Sequence, residues 1–204
     1  MRGTVSRRGV LVGGSVALVS AAAKAQFSSP NMDCAPPRPP GIERCTVGIR
    51  AFNFVSAIQA QPQWCWAACI SMVFGHFGHP VGQARIVSEA WGAPVNMPGT
   101  PFQILASLNR LWEDDAHNSF TAMGDVLSAN PMTAAQDLSQ GFPLIIGTGG
   151  HAVVLTALEY DRDPMGNGAV IGAMVRDPWP GRGRRPLTPM EWNNIAFAAR
   201  IRIT

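Results

Sequence analysis

The sequence predicts one α+β domain in which a mainly helical first half packs against antiparallel strands from the second half. The chain has 204 residues, of which 47% are hydrophobic and 14% are charged, as is typical of one compact globular domain. Apolar residues recur at helical spacing in the first half and in short runs bounded by turns in the second. Helices followed by strands indicate the α+β class, with a cleft expected between the two halves.

Residues 1–25 have the features of an export signal, which we expect to be removed from the mature protein. Arg7 and Arg8 precede the apolar stretch of residues 10–23, and the Ala-Lys-Ala of residues 23–25 has the spacing of a cleavage site. The paired arginines favour the twin-arginine route, and an ordinary secretory signal is the alternative. Either route predicts an exported protein, periplasmic or secreted.

Removal of this segment changes the net charge. Residues 1–25 contain four of the 16 basic residues and none of the 13 acidic ones, so 12 basic residues remain against 13 acidic residues. This balance lacks the excess of positive charge that nucleic acids and anionic membranes attract. Beyond the signal, no apolar run is long enough to span a bilayer. We therefore expect neither nucleic acid nor a membrane as a partner of the mature chain.

Residues 26–45 form a predicted proline-rich, extended lead-in. Cys34 and Cys45 flank its proline-rich part, and in an oxidising compartment we expect them to form a disulfide that closes a short loop. Cys65 and Cys69 lie four residues apart in a helical context, where a disulfide is possible but poorly shaped. No histidine spacing completes a zinc site, so we expect no metal and no cofactor.

Four longer helices are predicted in the domain of residues 46–204. The first has apolar residues at helical spacing and ends before Gly78 and Pro80. The third and fourth each begin with a proline directly after a capping residue, Thr100 or Asn130. The predicted helices cover residues 64–77, 81–91, 101–112 and 131–140.

The later part of the domain is predicted to consist of strands. The turn cluster of residues 161–168 separates two of them, which we therefore expect to pair as an antiparallel hairpin. Residues 180–183 are predicted to form a loop, and a short helix is predicted from Thr188. The predicted strands cover residues 144–147, 151–160, 169–176 and 196–203.

The segment from Gln59 to Cys69 (QAQPQWCWAAC) contains the candidate nucleophile. A free thiol with a pKa of about 8.5 is mostly protonated at neutral pH, and the N-terminus of a helix lowers that pKa. Pro62 and its polar neighbours indicate that the helix begins at Trp64 or Cys65. Cys65 then lies at the favoured end of the helix and Cys69 a full turn inside it. We interpret Cys65 as the nucleophile and Cys69 as a packing residue.

A glutamine upstream of the thiol is a candidate for stabilising an oxyanion. Its side-chain amide could act together with the backbone N–H of Cys65, a type of contribution of roughly 3–4 kcal/mol in other enzymes. Gln59 lies six residues before Cys65 and Gln61 lies four before it. We favour Gln59, and Gln61 stays open as its rival.

His151 is the candidate general base. His76 and His79 lie at the far end of the Cys65 helix, roughly 16–20 Å away at 1.5 Å per residue, and cannot reach the thiol. His151 begins an apolar strand directly after two glycines. Asp177 ends the partner strand of the predicted hairpin, at the same end as His151, where it could orient the imidazole.

These motifs resemble those of the bacterial papain-like cysteine peptidases. The similar residues are the Trp-Cys-Trp-Ala-Ala-Cys of residues 64–69, the strand-initial His151 and Asp177-Pro178. They look most like the avirulence-effector proteases of plant-pathogenic bacteria and more distantly like the bacteriocin-leader peptidases. The resemblance covers roughly residues 50–204.

The resemblance implies a papain-like fold, in which a helical half with the nucleophile packs against an antiparallel half-barrel with the histidine and the aspartate. It also implies a triad of Cys65, His151 and Asp177, a glutamine oxyanion donor and no metal. The implied reaction is hydrolysis of peptide bonds through a thioester. We expect a polypeptide substrate, with a host protein as one candidate target, and a monomeric enzyme.

Two other functions stay open at this point. One is acyl transfer without proteolysis on the same fold, as in an amidase or a transglutaminase-like toxin. The other is a non-catalytic binding module that has retained the fold, against which the intact Cys-His-Asp set argues.

Overall fold

Five α-helices, one short 3₁₀ helix (Arg50–Phe54) and nine strands follow one another along the part of the chain that the computed structural model describes, residues 31–127 and 130–204. The predicted export signal and residues 26–30 of the lead-in lie outside the described residues. No described helix has the length and apolar character needed to cross a membrane. The helices are α1 (Cys65–His76), α2 (Gln83–Trp91), α3 (Pro101–Leu108), α4 (Pro131–Ser139) and α5 (Pro189–Asn193). The strands are β1 (Met32–Cys34), β2 (Glu43–Gly48), β3 (Arg110–Glu113), β4 (Ser119–Leu127), β5 (Leu144–Thr148), β6 (His151–Arg162), β7 (Gly168–Asp177), β8 (Gly183–Leu187) and β9 (Ile195–Ile203).

The described strands all belong to one antiparallel sheet with β6 at its centre. The main path of the sheet runs β1-β2-β6-β5-β9-β4-β3, and β7 and β8 branch from β6. One edge of β6 pairs first with β5 and then with β2, whereas β7 lies along the other edge. The register between β6 and β7 shifts at two places. Such bulges increase the local twist and bend the strands. The α+β class with a curled antiparallel half-barrel is confirmed.

Helix α1 lies between the sheet and the other helices of the first half. It contacts β5 and β6, and it also contacts α2 and α3. Buried residues lie all around it, which is the pattern of a helix enclosed on every side. Ala67 and Ala68 are fully buried, and their small side chains allow a close approach of neighbouring elements. This packing fixes the N-terminus of α1, and therefore Cys65, relative to β6.

The predicted helix of residues 101–112 is wrong in its last four residues, because α3 ends at Leu108 and residues 110–113 form β3. Asn109 terminates α3, and its side-chain amide donates to the backbone carbonyl of Gly124 and accepts from its N–H, at 2.9 and 3.1 Å. Strand β3 then pairs with β4, which was not predicted either. Long-range pairing therefore overrode a local pattern that was compatible with a helix.

The other predicted helices and strands are present, with ends that differ by a few residues. Residues 183–187, for which the sequence predicted no strand, form β8. This strand pairs with β7, with Val175 opposite Arg185 and Asp177 opposite Gly183. It therefore adds a further strand beside the one that ends at Asp177.

The proline-rich lead-in contributes two strands to the sheet. Cys34 on β1 and Cys45 on β2 are register partners and form the predicted disulfide. Strand β2 crosses the predicted boundary between residues 45 and 46 and pairs with β6. The described part of the lead-in is thus an integral edge of the half-barrel.

Replacing Cys34 and Cys45 together by alanine should lower the free energy of unfolding by about 2–4 kcal/mol, because the cross-link between residues 11 apart restricts the unfolded chain. Urea unfolding followed by tryptophan fluorescence measures this difference. Reducing the wild-type disulfide should lower the free energy of unfolding by a similar amount. The same reducing treatment should leave the stability of the double variant unchanged. A change below about 0.5 kcal/mol would contradict the prediction.

Candidate active site

Cys65 is the first residue of α1, and its thiol faces the beginning of β6. Trp64 is the N-cap, and the backbone N–H groups of the first helical turn have no intrahelical acceptors. The side chain of His151 and the backbone N–H groups of Ala152 and Trp66 lie near the sulfur, where they favour its thiolate form and lower the pKa of Cys65. Cys69, the second free cysteine, is fully buried one turn further along the helix.

An extended segment after α2 anchors the residues on both sides of Cys65. The indole N–H of Trp64 donates to the carbonyl of Val95 at 2.8 Å, and that of Trp66 donates to the carbonyl of Met97 at 3.2 Å. Gly99 ends this segment under the Trp66 indole, where a Cβ atom would lie 2.4 Å from the ring. The two tryptophans of the Trp-Cys-Trp motif therefore hold Cys65 in place through hydrogen bonds and packing.

The structure brings His151 and Asp177 together at the open end of the β6–β7 hairpin. The Nε2 of His151 donates to Asp177 Oδ1 at 2.7 Å, which leaves Nδ1 directed to Cys65. Gly149 and Gly150 form the two-residue turn before His151 and have φ values of 57° and 77°. Positive φ at both central residues is the geometry of a type I′ hairpin turn, which explains the glycine pair.

Trp179 borders the cleft beside the histidine and is not part of the core. Its ring lies edge-on to the His151 imidazole, with centroids 6.0 Å apart and an interplanar angle of 81°. The residue is 46% exposed. It therefore flanks the imidazole on the solvent side.

Asp177 is a buried carboxylate with several donors. It is 3% exposed, and Oδ1 also accepts the backbone N–H of Trp179 at 2.9 Å. Oδ2 accepts from Nε of Arg185 at 2.7 Å, and Arg182 lies 3.7 Å away. Burial raises the pKa of Asp177, but the hydrogen bonds from His151, the Trp179 backbone and Arg185 outweigh it and lower the pKa to about 2. Asp177 is therefore ionised at neutral pH.

The pKa values of Cys65 and His151 move in opposite directions. Burial raises the pKa of the Cys65 thiol, but the hydrogen bonds from His151 and from two backbone N–H groups outweigh it, and the net shift is downward. Burial lowers the pKa of His151, but its hydrogen bonds with Asp177 and Cys65 raise the pKa to about 9. Both shifts favour a thiolate–imidazolium pair at neutral pH. Burial raises the pKa of Cys69 far above its usual value, as befits a packing residue.

The two candidate glutamines have different environments. Gln59 is 7% exposed, and its backbone N–H donates to the carbonyl of Pro178 at 2.8 Å, beside Asp177. Its Nε2 donates to the carbonyls of Gln61 and Pro62 at 3.1 and 2.9 Å. Its Oε1 is buried without a hydrogen-bond partner among the residues that the structure describes. Gln61, in contrast, is exposed.

Other groups considered from the sequence lie away from this site. His79 pairs with the buried Asp114 at 3.0 Å. Within residues 31–127 and 130–204, one group has the spacing of a metal site, namely Cys34, Glu43 and Cys45. Its two sulfur atoms are joined in the disulfide, so this group does not offer a metal a set of free ligands.

Sequence reasoning missed Arg185, which contacts Asp177, and Glu191, which contacts Arg185. Glu191 had a recognisable signal, because Thr188 and Glu191 have the spacing of a capping box. Arg185 had none, since it lies on a strand that the sequence did not predict. Its position depends on the pairing of β8 with β7.

The family model described as "Papain-like cysteine protease AvrRpt2" matches residues 50–194. A double glycine motif protease from an AMS/PCAT transporter, crystallised with the leader peptide, is 18% identical with a TM-score of 0.45, over 73% of this chain and 91% of that one. The peptidase domain of Streptococcus ComA, a bifunctional ABC transporter, is 14% identical with a TM-score of 0.48, over 74% of this chain and 98% of that domain. No curated protein sequence matches the chain.

Alkylation of Cys65 by iodoacetamide should remain rapid well below pH 8.5, the pKa region of a free thiol, because the site lowers the pKa of this thiol. Intact-mass analysis of the rate across pH 4–10 gives the midpoint. Cys69 should stay unmodified because it is buried.

The urea-unfolded chain is the control, in which both free cysteines should react with a midpoint at about 8.5. A midpoint for the folded protein at or above that of the unfolded chain would contradict the prediction.

Proposed function

The chain belongs to the papain-like cysteine protease family of AvrRpt2 and is a cysteine peptidase, and we propose that Cys65, His151 and Asp177 are its catalytic triad. The observation that carries this proposal is the 2.7 Å hydrogen bond between the His151 imidazole and the buried Asp177 carboxylate, with the imidazole also interacting with the Cys65 thiol at the N-terminus of α1. The lowered pKa of Cys65, the raised pKa of His151 and the ionised Asp177 all favour the thiolate–imidazolium pair that acyl transfer needs.

In the proposed reaction, the Cys65 thiolate attacks the carbonyl carbon of a peptide bond. The tetrahedral intermediate collapses as the His151 imidazolium gives its proton to the departing amine, leaving a thioester on Cys65. The neutral His151 then takes a proton from a water molecule, whose oxygen attacks the thioester. The carboxylic acid product leaves, and the thiolate–imidazolium pair is restored.

The proposed role of Asp177 is to hold the imidazole in one tautomer and one orientation. Its Oδ1 accepts the Nε2 proton of His151 at 2.7 Å, so that Nδ1 exchanges the catalytic proton with Cys65 and the substrate. An ionised carboxylate also stabilises the imidazolium form.

We further propose Gln59 as the oxyanion donor, together with the backbone N–H of Cys65. Its burial beside Asp177 and Pro178 supports this role, and the exposure of Gln61 disfavours the rival. Both amide hydrogens of Gln59 already serve carbonyl oxygens, so the oxyanion would have to replace or share one of these bonds.

Export of the enzyme is part of the proposal. The twin arginines and the apolar stretch within residues 1–25 support it, as does the Cys34–Cys45 disulfide, since disulfides persist in oxidising compartments. We propose a polypeptide substrate met outside the cytoplasm, with a host protein as one candidate.

The triad is tested on a denatured mixture of proteins, with new N-termini identified by mass spectrometry. Cys65→Ala and His151→Ala should each lower the rate of cleavage by at least about 10³-fold, and Asp177→Asn by about 10²–10⁴-fold. Combining any two of these substitutions should lower the rate of cleavage little further, because the three residues act as a unit.

New N-termini that depend on Cys65 support peptide-bond hydrolysis. Release of ammonia or formation of crosslinks without new N-termini would instead favour the acyl-transfer alternative. Wild-type levels of cleavage in His151→Ala or Asp177→Asn would overturn the triad.

The assignment of the oxyanion donor gives a separate prediction. Gln59→Ala should lower kcat/KM for a cleaved peptide by about 10²–10³-fold, whereas Gln61→Ala should change it by less than about threefold. Alkylation of Cys65 by iodoacetamide forms no oxyanion, so its rate should be unchanged in both variants. The opposite ranking of the two variants in kcat/KM would assign the role to Gln61.

A further inference from the structure

The carboxylate of Asp177 has a second partner on the side that does not face His151. Oδ2 accepts the Nε proton of Arg185 at 2.7 Å. The two other guanidinium nitrogens of Arg185 donate to the Glu191 carboxylate, at 2.7 and 3.0 Å. The side chain of Arg185 is 17% exposed, so this one cation bridges two carboxylates in a largely enclosed position.

Glu191 is held in turn by the local structure of α5. Its Oε2 accepts from the backbone N–H and the hydroxyl of Thr188, at 2.8 and 2.9 Å, in a complete capping box. Its backbone carbonyl accepts from the hydroxyl of the buried Thr148 at 2.7 Å. Thr148 is the register partner of His151 across the β5–β6 turn. The network that starts at His151 therefore returns to the residue opposite His151.

We propose that Arg185, held by Glu191, is a positioning residue for the reaction: it fixes the carboxylate of Asp177 in its ionised form and in the orientation that directs His151 Nδ1 to Cys65. This inference rests on the proposed triad. Arg185 touches neither the thiol nor the imidazole and acts through Asp177.

The two halves of the reaction explain why a second cation is needed. While His151 is an imidazolium, its charge stabilises the buried Asp177 carboxylate. Once His151 has given its proton to the leaving amine, that charge is gone, and burial then favours the protonated form of Asp177. The guanidinium of Arg185 does not release its proton in this pH range. Arg182 also lies 3.7 Å from Oδ2, but its side chain is 55% exposed and solvent screens its charge. The enclosed Arg185 therefore keeps Asp177 ionised throughout the step in which neutral His151 activates water.

The simpler alternative is that Arg185 only ties β8 and α5 to the rest of the sheet. That role predicts lower stability and a smaller active fraction, but no change in the pH at which the surviving enzyme forms its thiolate. The proposed role predicts such a change. Loss of Arg185 would remove a positive charge from the network, and the negative charges of Asp177 and Glu191, no longer compensated, would then disfavour the Cys65 thiolate.

The experiment measures the rate of Cys65 alkylation by iodoacetamide across pH 3.5–10, by intact mass, with each curve normalised to its own plateau. In Arg185→Leu the acidic midpoint should move up by about 1 pH unit, because a directly neighbouring arginine shifts a pKa by about 1–3 units and Arg185 acts on Cys65 from beyond Asp177. Arg184→Leu is the matched control. Arg184 is the preceding residue on β8, is exposed and has no carboxylate partner among the described residues, so this variant should follow the wild-type curve.

Arg185→Lys provides a second variant. It retains a positive charge and should keep the acidic midpoint within about 0.5 pH unit of the wild-type value. Its plateau rate should fall about threefold or more, because a single ammonium group cannot reproduce the planar fork that joins Asp177 to Glu191.

An Arg185→Leu curve that superimposes on the wild-type curve overturns the proposal. If circular dichroism shows that Arg185→Leu is unfolded, the test rests on Arg185→Lys. Wild-type values of both the midpoint and the plateau rate in Arg185→Lys would then overturn the proposal. Failure of the triad itself looks different, because the wild-type protein would then show the midpoint of a free thiol.

Discussion

The antiparallel pairing of β6 with β7 determines where the groups of the active site lie. His151 begins β6 and Asp177 ends β7, and the register brings both to one end of the hairpin. Helix α1 packs on β5 and β6, and this contact places the first residue of α1, Cys65, against the backbone of Ala152. A shift of the β6–β7 register by one residue would turn Asp177 to the other face of the sheet. The site therefore depends on strand register more than on any single side chain.

A series of alternating positive and negative side chains lies at the end of that hairpin. A buried carboxylate is costly unless it has partners, and Asp177 has His151 on one oxygen and Arg185 on the other. Arg185 is in turn neutralised by Glu191, which the cap of α5 holds. Since each charged group is fixed by the next, the orientation of the imidazole is linked to the position of a short helix after β8.

Several elements could be predicted because the sequence carries a local physical reason for each. Proline after Thr100 or Asn130 starts a helix, and both residues cap their helices as expected. The polar, proline-containing segment before Trp64 placed Cys65 at the start of α1. Strand β3 could not be predicted, because residues 110–113 fit a helical pattern and become a strand through pairing with β4 and the contact of Asn109 with Gly124. Such pairing joins residues that are distant in the sequence, and periodicity does not report it.

The sequence by itself determined the helix with Cys65 at its N-terminus, the strand-initial histidine, the hairpin that returns to Asp177 and the disulfide. Each follows from spacing, capping or turn residues within a short stretch of chain. Only the tertiary structure decided that Gln59 is buried while Gln61 is exposed, and that Arg185 and Glu191 surround Asp177. These contacts arise where a loop, a strand and a short helix meet, because burial and long-range hydrogen bonds depend on the packing of the whole sheet.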